Sequence, residues 1–277
     1  MMPTIRMPAV EPRWHLLPTG LRIRQRGLLR RSLAVGMVST LLGMGAAHAE
    51  PLAGRVVTLG QTRIVLPEAE GLRDVTDEPR GAAMGAAVIE PQAQLLAFQV
   101  RPEDSRSGFL IIKTARDMAA QDISAAQFAG YTAYMRSVAQ HQRHYDDVAD
   151  TANQQFAAQR PAVEAAAGHR LGATSFAPSL LIANEHDDDQ DYGTTVATRV
   201  DTVIDGRADH WTDLMCSHLL RVRARVLILQ WHARLAQAGD IDRLRAACRG
   251  YVSALLAANP PQEAAPVPAS QALAPSP

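Results

Sequence analysis

His141 and His144 stand three residues apart, with Asp147 three further on, and a helix would set the three side chains along one flank. Imidazole and carboxylate at that spacing are ligands for zinc or copper. The H-x-x-H pair lacks the glutamate and the i, i+4 geometry of zincins, so a solvated helix flank is the plainer account. A second group is Arg221, Arg223 and Arg225, which one continuous strand would space about 7 Å apart on one face. Such a row could take a phosphate, a sulfate or a sugar acid by bidentate contacts, or pair with Asp201 and Asp205 of a neighbouring strand. The run Asp187-Asp188-Asp189-Gln190-Asp191 offers hard oxygen ligands, but an EF-hand loop wants Gly at its sixth position and Glu at its twelfth. Tyr192 and Thr198 stand there instead, which leaves a charged hairpin tip. His210-Trp211 and Trp231-His232 bring imidazole and indole together, either to line a pocket or to fill a core. Cys216 and Cys248 are the two cysteines; they are either bridged or two buried thiols.

Other chemistry leaves no trace. There is no G-x-S-x-G nucleophile turn, no G-x-x-x-x-G-K-[ST] or G-x-G-x-x-G phosphate loop and no C-x-x-C redox pair. No cofactor is therefore expected, and the chain reads as a binding or assembly factor whose partner is a protein or a small anionic ligand. The competing expectation is a metal-dependent or hydrolytic enzyme built on His141, His144, Asp147 or the His-Trp pairs.

These side chains need elements to position them. Val56 to Leu59 and Thr62 to Leu66 read as a hairpin about Gly60-Gln61. Glu68 to Arg80 reads as a surface connection, Gly85 to Glu90 and Leu95 to Arg101 as a second hairpin about Pro91-Gln92, and Phe109 to Thr114 as a fifth strand. Ser124-Ala125-Ala126-Gln127 fits a capping box. The stripe Phe128, Tyr131, Met135, Val138, Gln142, Tyr145, Ala149, Ala152 and Phe156 predicts one long helix behind it. Pro161 should end that helix or start a short one closed by Gly168. Strands resume at Arg170 to Phe176, Ser179 to Asn184 and Thr195 to Ile204, and a long last strand runs from Ser217 to Leu235. A final helix from about Asp240 presents Ile241, Leu244, Cys248, Tyr251 and Leu255 on one side. The prediction is an α+β domain with an antiparallel sheet of about 7–9 strands, packed by a long central helix and a C-terminal helix.

The ends of the chain read differently. Arg22, Arg24, Arg26, Arg30 and Arg31 precede the apolar run Leu33 to Ala46 and the site Ala47-His48-Ala49, the pattern of a secretory signal peptide cut between Ala49 and Glu50. Leu29-Arg30-Arg31-Ser32-Leu33 partly fits a twin-arginine signal, leaving that route and general secretion both open, and Met7 is an alternative start. The run is too short to span a bilayer, so no permanent membrane anchor is expected and the mature protein should be periplasmic. Residues 1–49 carry seven of the 28 basic and one of the 28 acidic side chains, so the remainder is mildly acidic and unsuited to a nucleic-acid partner. Residues 50–259 form one expected domain, and 260–277, with six prolines, a disordered tail. The element order, together with the hairpin ending Ile64-Val65-Leu66-Pro67, resembles the PsbP-like α/β/α sandwich of exported bacterial and thylakoid proteins over residues 55 to 257. That resemblance implies a non-enzymatic role in binding or assembly and carries over no site residue.

Overall fold

The computed structural model describes residues 54–101, 108–139 and 142–261. The signal peptide, its cut between Ala49 and Glu50, His141 and the tail from residue 262 lie outside the described residues. Gly60, at a φ of 59°, turns β1 (Gly54–Leu59) into β2 (Thr62–Pro67), and the two pair antiparallel. Eight further strands form one antiparallel sheet in the order β3-β4-β5-β10-β9-β8-β6, with β7 also on β8. These are β3 (Arg73–Asp74), β4 (Ala93–Val100), β5 (Phe109–Ala115), β6 (Leu171–Phe176), β7 (Leu180–Asp187), β8 (Asp191–Ile204), β9 (Arg207–Val222) and β10 (Arg225–Arg234). Among the described residues there are four helices: α1 (Pro79–Val88), α2 (Ala125–Val138), α3 (Gln142–Ala167) and α4 (Gly239–Ala258). The α+β class and the antiparallel sheet are as the sequence reads.

Strand alternation divides the apolar residues between two faces. Leu110, Ile112, Leu214, Cys216, Leu220, Leu227, Leu229 and Trp231 point to one side, where Leu244, Tyr251 and Leu255 of α4 and Ile64 and Leu66 of β2 meet them. This is the main core. Asn259 pins the end of α4 to the hairpin: its Oδ1 accepts from Val65 N (2.8 Å) and its Nδ2 donates to Val65 O (2.7 Å). The other face holds three smaller clusters, Phe98 and Ile111 with Met84 of α1, Phe128 and Val226 with Ile123, and Tyr145 with Val196.

Four expectations fail, each for a local reason. Gly85 to Glu90 is not a strand but the end of α1 and the residues after it, and there is no hairpin about Pro91-Gln92. Pro79 starts that helix, alanines fill it, and Gly81 and Gly85 lie where a Cβ would meet Val75 O at 2.0 Å and Leu95 Cδ2 at 2.5 Å. Small residues at that spacing let the helix lie close on its neighbours, a pattern easily read as a weak strand.

The long helix is two helices. Its start is as read, with Gln127 N donating to Ser124 Oγ and Ser124 N to Gln127 Oε1. It stops at Ala139, whose carbonyl accepts the hydroxyl of buried Tyr145 at 2.8 Å. Conversely, Pro161 lies inside α3 rather than at its end. Its ring is exposed while Val163 and Ala166 beyond it are buried, and Arg80 donates to Ala166 O (3.2 Å) and Ala167 O (2.7 Å), so tertiary contacts hold the last turns.

Finally, Ser217 to Leu235 is not one strand. β9 turns into β10 at Arg223 and Ala224, with φ of 48° and 62°, the left-handed pair of a two-residue hairpin loop that usually uses Asn or Gly. Neither residue type announces such a turn.

Candidate functional site

The hairpin dismantles the arginine row. Arg221 lies on β9, Arg223 in the turn and Arg225 on β10, and each guanidinium reaches its own partner. Arg221 Nε donates to Ile123 O (2.7 Å), Arg223 Nη1 to Arg63 O (3.0 Å), and Arg225 Nη1 to Ala120 O (2.7 Å) with Asp122 Oδ1 at 3.0 Å. Their work is to tie loops to the sheet end. Asp201 instead pairs with Arg199, and Asp205 with His169 and the amide of Arg170. Of the other candidates, His144 and Asp147 stand three apart on α3, and His141 lies outside the described residues. His144 sits in the first turn of α3 with its ring edge-on to Tyr145 (5.3 Å between centroids), and Asp147 is exposed. Trp231 packs in the core against Tyr251, His232 stacks on Phe109 at 4.5 Å, and Arg234 covers Trp211 at 4.4 Å. The acidic run forms the β7–β8 turn, where Asp188 Oδ1 accepts from Gln190 N and Asp191 N, both at 2.8 Å. Cys216 and Cys248 are bridged, Cα to Cα 6.5 Å, joining β9 to α4.

Two arrangements that sequence reading missed are more organised. The first is a cleft of about 420 Å³ between α2 and the sheet. α2 supplies Gln127, Gly130, Tyr131, Tyr134 and Met135, while Tyr192, Leu219, Val226 and Ile228 form much of the floor. α2 buries Phe128, Thr132 and Met135 and packs Tyr131 against the Phe128–Val226 cluster, and Tyr134 is left more open. Tyr134 remains 43% exposed at the open side. On the floor, Thr194 and Ser217 face each other across β8 and β9. Both residues are buried, and both line the cleft. The cleft is thus largely apolar, with Gln127 at α2, adjacent hydroxyls on the floor and part of His218 among its lining. Its size falls in the range of small-molecule sites.

On the opposite face of the same strands lies a buried polar group. Asp191 Oδ1 meets His218 Nδ1 at 2.6 Å, and its Oδ2 lies 3.2 Å from His186 Nδ1. The His218 ring lies over Gly193, where a Cβ would come within 2.3–2.8 Å of three ring atoms. His218 is 1% exposed, and its Nε2 has no partner among the described residues. An orphaned polar atom at such depth costs about 1–3 kcal/mol. Nearby, Glu185 accepts from Thr195 Oγ1 (2.6 Å), Arg245 Nε (2.6 Å) and Arg249 Nη1 (3.0 Å). Burial alone would raise the pKa of Glu185, but these hydrogen bonds outweigh it and hold the carboxyl below the usual range.

Neither arrangement makes a nucleophile. Ser217 and His218 are adjacent on β9 and project to opposite faces, so they cannot form a serine–histidine pair. Sequence signals for these features existed: Cys216 and His218 are two apart on a strand, and Gly193 sits inside one.

No protein-family model matches the chain, and no curated protein matches it in sequence. Among solved structures, a mutant of the protein Mog1 is similar at a TM-score of 0.29 and 11% identity, over 74% of this chain and 92% of that one. The Ran-binding protein Mog1p of Saccharomyces cerevisiae is similar at a TM-score of 0.28 and 11% identity, over 76% and 93% of the two chains. Values this low establish neither a shared fold nor a shared partner. Among the described residues, no helix is long and apolar enough to cross a membrane.

Proposed function

We propose that this chain is an exported, non-catalytic binding protein, and that the cleft under α2 holds a small, largely apolar molecule carrying one hydrogen-bonding group. The observation that carries this reading is the pair of buried hydroxyl residues, Thr194 and Ser217, side by side on the floor of a largely apolar cavity. A purely structural core would fill that space or leave it without polar atoms. A bound molecule gains from burying its apolar body and from hydrogen bonding to the two hydroxyls at one end. The small anionic ligand expected at the arginines has no support in their geometry, because each guanidinium is already engaged.

Export is supported by the basic head, the apolar run and the Ala47-His48-Ala49 site, and by the Cys216–Cys248 bridge, since disulfides persist in oxidising compartments.

The test is a titration with a series of apolar molecules of one size, with and without a terminal hydroxyl or carbonyl. The native protein should prefer the polar-ended members, and the double variant Thr194→Val with Ser217→Ala should lose the preference while still binding the hydrocarbons. Equal affinity for all members in the native protein would contradict the reading. Export is checked separately by the mass of the protein recovered from its native cell, which should begin at Glu50.

A further inference from the structure

Cys216 and His218 occupy alternate positions of β9 and so project from the same face. Cys248, in the middle of α4, meets them there. The two sulfurs and a ring nitrogen of His218 lie within 4.8 Å of one another, and all three residues are buried. Asp191 occupies Nδ1 of that ring at 2.6 Å, which leaves Nε2, without a hydrogen-bond partner among the described residues, as the free nitrogen.

A core histidine needs no such arrangement. Here the fold omits a side chain at Gly193 to seat the ring and buries Asp191 to orient it. It then leaves Nε2 unused among the described residues, on a ring that brings a nitrogen within 4.8 Å of two sulfurs. Carboxylate to imidazole to metal is the usual way a metal-bound histidine is held.

We propose that, once the Cys216–Cys248 bridge is reduced, Cys216, Cys248 and His218 form a zinc site with Asp191 as the residue that orients the imidazole. Reduction is a thiol–disulfide exchange with a dithiol, either a small molecule or a dithiol oxidoreductase. The dithiol gives up two electrons and two protons and leaves as its own disulfide, while Cys216 and Cys248 become thiols. Zinc then displaces the two thiol protons, forming two zinc–sulfur bonds and one bond to the His218 nitrogen. Two thiolates neutralise the divalent ion, so the filled site places no net charge of its own in the apolar core. Tetrahedral geometry with Zn–S of about 2.3 Å and Zn–N of about 2.0 Å asks for roughly 3.7 Å between the sulfurs and about 3.5 Å from each to nitrogen. The three ligand atoms already lie within 4.8 Å of one another, and breaking the bridge frees the sulfurs to separate. With three protein ligands, a fourth position remains for water or another small donor. The bridge and the metal are thus alternative occupants of one place between β9 and α4. Because the sulfurs are buried, exchange requires α4 to lift locally from the sheet.

The experiment uses the full-length protein, oxidised or fully reduced under anaerobic conditions, titrated with cobalt(II) and then zinc. The reduced protein should take up one equivalent of cobalt with thiolate charge-transfer and intense tetrahedral d–d bands, zinc should displace it, and the oxidised protein should bind neither. Asp191→Asn should weaken zinc binding roughly 10- to 100-fold, and His218→Gln by at least as much. X-ray absorption of the zinc-loaded native protein, which needs no variant, should read two sulfurs and one imidazole nitrogen. A coordination shell without imidazole, unchanged affinity in His218→Gln, absence of metal uptake by the reduced protein, or a reduced protein that stays unfolded with zinc would each overturn the proposal.

Discussion

Gly130 separates what α2 does for stability from what it does for binding. It lines the cleft, and a Cβ built on it meets nothing within 4 Å. A glycine inside a helix costs about 0.8 kcal/mol relative to leucine. Partial burial of a leucine side chain in the cleft adds roughly 1 kcal/mol, less than the 1.5–3 kcal/mol of full burial. Gly130→Leu should therefore raise stability by about 1.5–2 kcal/mol, a melting temperature higher by roughly 3–8 °C for a domain of this size. The same substitution fills the space a ligand needs. A neutral naphthylamine fluorophore that brightens in apolar surroundings reports occupancy, and thermal unfolding reports stability on the same samples. Melting should rise while probe affinity falls at least tenfold, a loss of about 1.4 kcal/mol. A stabilised variant that binds the probe as tightly as the native chain would show that the cleft is not the binding site, and a destabilised one would show that α2 is packed more closely than described.

Reducing the Cys216–Cys248 bridge with chelator present should lower unfolding free energy by about 3.7 kcal/mol, the chain-entropy figure for a separation of 32 residues, read from denaturant midpoints; no change would mean the bridge constrains nothing. Gly193→Ala should cost about 1–3 kcal/mol and shift the His218 ring resonances, because its Cβ would overlap that ring; a neutral outcome would refute the seating described. Glu185, held below its usual range, contributes stability that is complete above the ordinary glutamate pKa and is lost as pH falls through the lower folded value. Glu185→Gln should cost about 2 kcal/mol at neutral pH and flatten the acid limb of the stability curve, measured by denaturation across pH; an unchanged limb would contradict the role given to Arg245 and Arg249.

The parts of the fold visible in sequence were those written in local chemistry. Ser124 and Gln127 announce a helix start because both capping partners lie within four residues, and Gly60 announces a turn because its φ of 59° suits no branched side chain. The α4 stripe from Ile241 to Leu255 also came through, since periodic burial needs no knowledge of neighbours, whereas the sequence left Cys216 and Cys248 open between a bridge and two buried thiols. What failed depends on tertiary contact. Arg223 and Ala224 turn with positive φ because the strands on either side pair in register, and Tyr145 stops α2 from the next helix. The Asp205-Gly206 turn between β8 and β9 is a hairpin signal that the sequence does carry. Reading it would have placed β9 and its Cys216, Ser217 and His218 in order. The cleft was illegible for a different reason: a stripe that packs closely and a stripe that leaves a cleft beside it have the same periodicity.

The space between α2 and the sheet, if a ligand site, must respond to an apolar molecule locally. The direct measurement is a methyl-labelled NMR titration with a small apolar molecule bearing one hydroxyl, read at Met118, Met135, Val226 and Ile228, four residues that line the cleft. These methyls should shift together and saturably, while those of Leu244 and Leu255 on the far face stay still. Binding that moves the far-face methyls, or leaves Met135 and Ile228 unmoved, would contradict it.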